Sequence, residues 1–110
     1  MKVNEKLLNR LREALMDIPT IKEKTMFGGI CFLVNDKMCI CLRENRLMCR
    51  VGPAVYEECL EIPGCEPMVH GKRLVKGYVF VYEEAFRDRA AFDHWISLSL
   101  KHNEALSQQQ

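Results

Sequence analysis

The chain has 110 residues, a length that fits one domain with a single two-layer core. Its 16 basic and 15 acidic residues give a net charge of +1, so the overall charge favours neither nucleic acid nor an anionic membrane as a partner. Residues 1–15 interrupt their apolar positions with charges, which is typical of neither a signal peptide nor a membrane span. We therefore expect a cytoplasmic protein without a membrane partner.

The N-terminal segment predicts an amphipathic helix that covers one face of a sheet. Its apolar residues recur at helical spacing, and Pro19 ends the pattern. Residues 20–27 then lead into Gly28-Gly29, where the backbone can turn sharply or approach another chain closely. A phosphate-binding loop is the weaker interpretation, because these glycines enter a strand rather than a helix.

Residues 28–51 predict a three-stranded antiparallel meander with two-residue turns at Asn35-Asp36 and Glu44-Asn45. Strict alternation gives one uncharged face, which must be covered: Cys31, Leu33, Met38, Ile40, Leu42, Leu47, Cys49 and Val51. It gives a second, mixed face that combines apolar and basic side chains: Ile30, Phe32, Val34, Lys37, Cys39, Cys41, Arg43, Arg46, Met48 and Arg50. A slip of one residue would reverse this assignment.

The second half of the chain predicts a helix, two strands and a last helix. The first of these helices begins at Gly52-Pro53 and runs to about Ile62, and a short strand near 65–68 precedes a turn at Gly71. The strand from Arg73 to Glu83 directs Lys76, Tyr78, Phe80 and Tyr82 to one face. Asp88 is expected to cap the last helix, in which Trp95 is a core anchor. The domain then spans residues 1–102, and residues 103–110 form a disordered polar tail.

The six cysteines are expected to be reduced and free of metal. In the predicted register Cys31 and Cys49 share a face but lie two strands apart, about 10 Å, which is too far for a disulfide. Cys39 and Cys41 point to the other face, and a zinc site needs four converging ligands. The pattern Cys39-x-Cys41 is a weak metal signal against the simpler interpretation of small apolar residues on a strand. We therefore expect no metal and no cofactor.

Catalytic motifs are scarce in this sequence. His70, His94 and His102 lack the spacing of a zinc protease, and no nucleophile has a recognisable context. Cys65 in a loop has no basic neighbour in sequence to lower the pKa of its thiol. The motif content therefore predicts a protein that is not an enzyme.

The segment Lys76-Gly77-Tyr78-Val79-Phe80-Val81-Tyr82 partly matches the RNP1 signature of RNA-recognition motifs. Val79 occupies a position where that signature has Gly or Ala, and a chain that begins with a helix and ends with one has the wrong topology. A single-stranded nucleic-acid-binding module nevertheless remains the alternative. It would place Arg43, Arg46 and Arg50 on phosphates and the aromatic residues on bases.

The combined motifs resemble the N-terminal domain of the TfoX/Sxy family. They are Met26-Phe27-Gly28-Gly29 before a strand, Leu47-Met48-Cys49-Arg50-Val51-Gly52-Pro53, Pro67-Met68, Gly71-Lys72-Arg73 and Lys76-Gly77-Tyr78-Val79. The resemblance covers about residues 10–100. It implies a two-layer α+β fold of helix, three strands, helix, two strands and helix, similar to the secretion chaperones, which is also the order derived above. It further implies a non-enzymatic regulator of competence genes for DNA uptake that acts through a transcription regulator. Full-length regulators of the family carry a second, C-terminal domain.

We therefore expect a regulatory domain that binds protein through its mixed face. The apolar part of that face predicts a homodimer, since a continuous exposed apolar patch is unusual in a monomer. A transcription regulator is the other expected partner, and nucleic acid is expected to bind only weakly or indirectly. The residues expected to form the interaction face are Ile30, Phe32, Val34, Arg43, Arg46, Met48, Arg50, Lys76, Tyr78, Phe80 and Tyr82.

Overall fold

The computed structural model describes residues 3–26 and 28–108, and within them the chain forms four helices and six strands. The helices are α1 (Glu5–Leu15), α2 (Tyr56–Leu60), α3 (Glu83–Phe86) and α4 (Arg89–Ser107). The strands are β1 (Ile21–Met26), β2 (Gly29–Val34), β3 (Lys37–Arg43), β4 (Arg46–Arg50), β5 (Cys65–His70) and β6 (Arg73–Val81). All strand pairs are antiparallel, in the order β1-β2-β3-β4-β6-β5. The predicted two-layer α+β fold is confirmed.

Two elements were not predicted from the sequence. Strand β1 occupies residues that were expected only to lead into the glycines, and it pairs along its whole length with β2. It is an edge strand whose four central residues are exposed, so it lacks the alternating apolar pattern by which strands are recognised. Helix α3 is a single turn that buries Ala85 and Phe86 before Asp88 starts α4.

The helices cover one face of the sheet. Leu7, Leu8, Leu11 and Leu15 of α1 are buried, and Asn4 caps this helix by accepting a hydrogen bond from the backbone N–H of Leu7 at 3.1 Å. In α4, Trp95 is 1% exposed, and its indole Nε1 donates to the carbonyl oxygen of Ala85 at 2.9 Å. The predicted role of Trp95 as a core anchor is therefore confirmed.

A β-bulge in the β2–β3 hairpin changes the predicted register. Val34 pairs with Lys37 across the predicted Asn35-Asp36 turn, and Leu33 pairs with Met38. The next pair is Phe32 with Ile40, so Cys39 is the extra residue on β3. Side chains alternate between the two faces of the sheet with a period of two. This one-residue shift therefore places each side chain of β2 on the face opposite to the one predicted.

The last helix continues beyond the predicted domain end. Residues 103–107, expected to be a disordered tail, form the final turns of α4. Asn103 is buried, and its Nδ2 donates to the carbonyl oxygen of Val34 at 2.9 Å. A buried carbonyl group at the end of a strand needs a hydrogen-bond donor, and the side-chain amide of Asn103 is that donor. The surrounding sequence is polar throughout, so it does not distinguish Asn103 from its solvated neighbours. Gln109 and Gln110 lie outside the described residues.

No helix in the described part of the chain combines the length and the apolar character needed to cross a membrane.

Candidate interaction face and sulfur cluster

The sheet face opposite the helices, called here the open face, carries a row of side chains that crosses all six strands. The row is defined by consecutive cross-strand pairs and comprises Lys24, Cys31, Cys41, Met48, Phe80 and Glu66. Residues two positions away on the same strands extend this face, among them Lys22, Leu33, Arg43, Arg46, Arg50 and Tyr78. The open face therefore has an apolar centre and basic groups toward its margins.

The centre of the open face is a second, smaller core, called here the sulfur cluster. Cys31, Cys41 and Met48 are its buried members, and the partly buried residues packed against them are Met26, Leu33, Met38, Met68 and Phe80. Among the described residues, six of these eight side chains carry sulfur. Methionine adapts its shape to irregular gaps and polarises easily, so this part of the sheet is deformable and chemically soft.

Cys31 and Cys41 are joined by a disulfide, with their Cα atoms 4.0 Å apart. The expectation that all six cysteines are unbridged is therefore wrong for this pair. The strict alternating register had placed Cys31 and Cys41 on opposite faces, whereas the bulge at Cys39 sets them directly opposite each other on neighbouring strands.

The other four cysteines are free, buried and packed on the helix side of the sheet. Burial raises the pKa of the Cys39 thiol to about 12, and burial followed by the neighbouring Cys59 and Glu66 raises the pKa of Cys65 to about 12. Burial also raises the pKa of Cys49 and Cys59. These thiols therefore remain protonated and unreactive at neutral pH.

Two arginines stack on aromatic rings of β6. The guanidinium carbon of Arg46 lies 4.2 Å from the centroid of the Phe80 ring, and its Nη1 donates to the Tyr82 hydroxyl at 3.1 Å. The guanidinium carbon of Arg50 lies 5.3 Å from the centroid of the Tyr78 ring. Such stacks restrict the orientations of the guanidinium groups, and a stacked guanidinium group keeps N–H donors in its plane.

The carboxylates that the structure describes do not neutralise these arginines. Within residues 3–26 and 28–108, Arg43, Arg46 and Arg50 form no ion pair, whereas Lys22 is paired with Asp36 at 2.6 Å. The hydrogen bond and charge of Lys22 hold the pKa of Asp36 below its usual value. The positive charge of the arginines is therefore free to meet an acidic group of a partner.

A cavity of about 310 Å³ opens beside the sulfur cluster. Met26, Met48, Met68, His70 and Phe80 line it, together with Gly28, Gly29, Cys41 and Arg43. A space of this size holds one large side chain or a small ligand. It lies between the apolar centre of the open face and the guanidinium group of Arg43.

The structure brings together most, but not all, of the residues predicted to form the interaction face. Arg43, Arg46, Met48, Arg50, Tyr78 and Phe80 lie on the open face, and Tyr82 adjoins them through its hydrogen bond with Arg46. Lys76 is exposed on β6, beyond the paired Arg50 and Tyr78.

Three residues were assigned to the wrong face. Phe32 and Val34 are 2% and 4% exposed within the helix-covered core, and Ile30 packs against that core. The bulge at Cys39 is the reason, because it turns β2 over relative to the alternating prediction. The exposed apolar patch from which a homodimer was expected is therefore absent from the described residues, since Met48 is also only 7% exposed.

Sequence reasoning also missed several members of this face. Met26 and Lys24 belong to the unpredicted strand β1, and Cys31, Leu33 and Met38 had been assigned to the covered face. The recurrence of methionines at 26, 38, 48 and 68 is the one signal in the sequence that points to them. Of the residues that the structure describes, no three His, Cys, Asp or Glu side chains converge to hold a metal ion.

The fold and this face together define a small two-layer α+β domain with a preformed surface of stacked arginines around a soft apolar centre. The family model of the TfoX N-terminal domain matches residues 13–103, and the chain belongs to that family. One residue of the motifs that carry the family resemblance, Phe27, lies outside the described residues. No curated protein matches the chain.

Proposed function

We propose that this domain is a non-enzymatic regulatory module whose open face binds a protein segment that carries acidic and apolar residues. The observation that carries the proposal is the pair of stacked arginines, Arg46 on Phe80 and Arg50 on Tyr78, beside the cavity at Met48 and Met68. This arrangement combines fixed positive charge with a deformable apolar pocket.

The stacked arginines support protein binding on energetic grounds. Arginine and aromatic residues dominate the binding energy of protein interfaces, and binding is stronger when the side chains are already ordered. The stack of Arg46 on Phe80 has this order before a partner arrives. A carboxylate of the partner can then accept two hydrogen bonds from one guanidinium group at a small entropic cost.

The cavity supports an apolar anchor in the same segment. Its methionine lining, Met26, Met48 and Met68, can repack around an incoming side chain, as methionine-rich surfaces do. Arg43 lies at the rim of this cavity. An apolar residue with an acidic neighbour in sequence would therefore satisfy both parts of the site at once.

Nucleic acid is the less favoured partner. Bases would need the faces of Tyr78 and Phe80 for stacking, and the guanidinium groups of Arg50 and Arg46 already lie over these rings. The few remaining basic groups predict weak, salt-sensitive phosphate contacts, with a Kd of about 10⁻⁴ to 10⁻⁶ M at physiological salt.

The family membership indicates the biological setting. By analogy with the TfoX regulators, we propose that the domain acts in the cytoplasm in the regulation of competence genes, and that its partner is a transcription regulator protein. The role in competence rests on family membership, whereas the binding of an acidic and apolar segment rests on the geometry of the open face. The two proposals therefore need separate experiments.

A second copy of the chain is a poorer fit to the open face, because a twofold interface would bring its arginines together. Homodimerisation stays a prediction and would need another surface. The apolar candidate is Leu74, which is 54% exposed on the β5–β6 hairpin and, unlike its pair partner Val69, does not line the cavity.

Selection of random peptides displayed on phage against the immobilised domain tests the proposal. We expect enriched peptides to combine Asp or Glu with a large apolar residue, and to lose affinity at least about tenfold on the variant Arg46→Glu. The matched control is Lys101→Glu, which reverses an exposed charge on α4. Enrichment of no peptide, or of peptides indifferent to Arg46→Glu, would contradict the proposal.

The same variants separate protein from nucleic acid. Labelled single-stranded and double-stranded oligonucleotides are titrated at low and at physiological salt. Weak binding that disappears at physiological salt agrees with the proposal. Submicromolar binding at physiological salt that depends on Arg46 or Tyr78 would instead establish the nucleic-acid alternative.

A further inference from the structure

The sulfur cluster brings soft donor atoms from several strands together on the open face. Cys31 and Cys41 lie directly opposite each other with Cα atoms 4.0 Å apart, and the thioethers of Met26, Met38, Met48 and Met68 belong to the same cluster. Three of these methionines and Cys41 also line the cavity, so the donors border a space that opens to solvent.

We propose that the reduced sulfur cluster binds one Cu(I) ion, with the thiolates of Cys31 and Cys41 as the primary ligands and a methionine thioether from the cavity, Met48 or Met68, completing the site. This proposal does not depend on the identity of the protein partner, since it rests on the donor set alone.

The chemistry of the donors selects the metal. Thiolates and thioethers are soft ligands that favour Cu(I), whereas carboxylate, carbonyl and water favour Mg²⁺, Ca²⁺ and Mn²⁺. A structural zinc site needs four Cys or His ligands in a tetrahedron. Among the described residues no three His, Cys, Asp or Glu side chains converge, and the donors that share the sulfur cluster with the thiol pair are thioethers. This donor set is deficient for zinc and suitable for Cu(I).

The position of the pair favours binding of a single ion. A cross-strand pair on neighbouring strands has its side chains on the same face, and here both point into the sulfur cluster. The bulge at Cys39 creates this pairing, and the free thiols Cys39 and Cys49 lie on the helix side. The two groups of thiols are therefore separated by the sheet.

Loading requires prior reduction of the disulfide. Two equivalents of a thiol reductant supply two electrons and two protons: the S–S bond between Cys31 and Cys41 breaks, two thiols form, and the reductant becomes its own disulfide. Cu(I) then binds with release of the two thiol protons, and no further electron is transferred. The disulfide and the loaded site are thus mutually exclusive states of the same two residues.

Anaerobic competition between the full chain and the Cu(I) chelator bicinchoninate tests the site. We expect the reduced chain to withdraw about one equivalent of Cu(I), the oxidised chain to withdraw none, and Cys41→Ser to lose this capacity. The double variant Met48→Leu/Met68→Leu, which keeps the apolar volume, should weaken Cu(I) binding by about tenfold or more.

Two matched controls keep the test specific. Cys65→Ser alters a buried thiol on the helix side, and Met16→Leu alters a methionine that is 71% exposed; both should bind Cu(I) as the parent chain does. Circular dichroism of each variant verifies folding, and the methionine variant remains informative if Cys41→Ser unfolds. The proposal is overturned if the reduced chain takes up no Cu(I), if the oxidised chain binds equally, or if the methionine variant binds as the parent does.

Discussion

Arg46 lies over the ring of Phe80, with its guanidinium carbon 4.2 Å from the ring centroid. The two residues come from adjacent strands, β4 and β6, and Phe80 also packs against the sulfur cluster. The stack makes Arg46 a structural and a binding group at once, and these two roles can be separated by experiment.

We expect Arg46→Ala to lower the free energy of unfolding by about 0.5–1 kcal/mol, because it removes a partly exposed cation–π contact. Arg43→Ala is the control: Arg43 is exposed, and in the described part of the chain it stacks on no ring. Urea unfolding of both variants measures the difference. Equal stability of the two would show that the stack does not persist in solution.

Asn103 ties the end of α4 to the end of β2. Asn103→Ala should destabilise the domain by about 1–3 kcal/mol, because the buried carbonyl of Val34 loses the donor that lies 2.9 Å away. Glu104→Ala, at an exposed neighbouring position, should change the free energy of unfolding by less than about 0.5 kcal/mol. No loss in either variant would mean that residues 103–107 act as the polar tail predicted from composition, and equal losses in both would mean that the hydrogen bond of Asn103 is not the cause.

That tail illustrates a limit of composition as a guide. Residues 103–110 contain few apolar side chains, so their polarity suggested disorder, yet Asn103 is buried and hydrogen-bonded. A buried amide cannot be distinguished from a solvated one without knowing which backbone group faces it. In contrast, the caps at Asn4 and Asp88 act locally, and the sequence was sufficient to predict Asp88.

Gly29 permits a close approach of strands β2 and β3. A Cβ atom at this position would collide with the carbonyl oxygen of Leu42, which is backbone and cannot rotate away. We expect Gly29→Ala to destabilise the domain by about 1–3 kcal/mol, as other overpacked positions do. The backbone at Gly29 makes its close approach within the chain, to Leu42 of the neighbouring strand.

Gly71 supplies the control for Gly29. It lies in the β5–β6 turn with φ of +65°, and an added Cβ would meet nothing within 4 Å. Asparagine tolerates this backbone conformation, so Gly71→Asn should be nearly neutral in thermal and urea unfolding. If Gly29→Ala were equally neutral, the spacing of β2 and β3 would have to differ from that described.

Thiol counting separates the two groups of cysteines. Protein purified without reductant and then denatured should show four free thiols, those of Cys39, Cys49, Cys59 and Cys65. Before denaturation, labelling at pH 8 should be very slow, since a thiol with a pKa of about 12 is ionised only to about one part in 10⁴ at that pH. Native labelling should accelerate as the pH rises toward 12. Six free thiols in the denatured protein would contradict the disulfide.

The β-bulge at Cys39 causes both the Cys31–Cys41 disulfide pairing and the placement of the β2 side chains, and the sequence pattern does not reveal this bulge. Both turns of the meander were predicted, and Val34 pairs with Lys37 as expected. The extra residue at Cys39 then reverses the predicted face of every side chain on β2. Both faces of this strand carry apolar side chains, so its sequence pattern does not indicate which face the helices cover. Whether the Tyr78 strand lies beside Arg50 could not be derived from the sequence; the structure pairs these two residues, and no bulge interrupts the register of β4 with β6.

The central claim is that a partner segment binds on the open face, and the methionine methyl groups report on it directly. In the NMR spectrum of ¹³C-methyl-methionine protein, addition of a selected acidic peptide should shift the signals of Met48 and Met68, which line the cavity. The signal of Met16, exposed at the end of α1, should stay in place. The same peptide should produce no shifts in Arg46→Glu. Shifts confined to Met16, or shifts of Met48 and Met68 that persist unchanged in Arg46→Glu, would contradict the account.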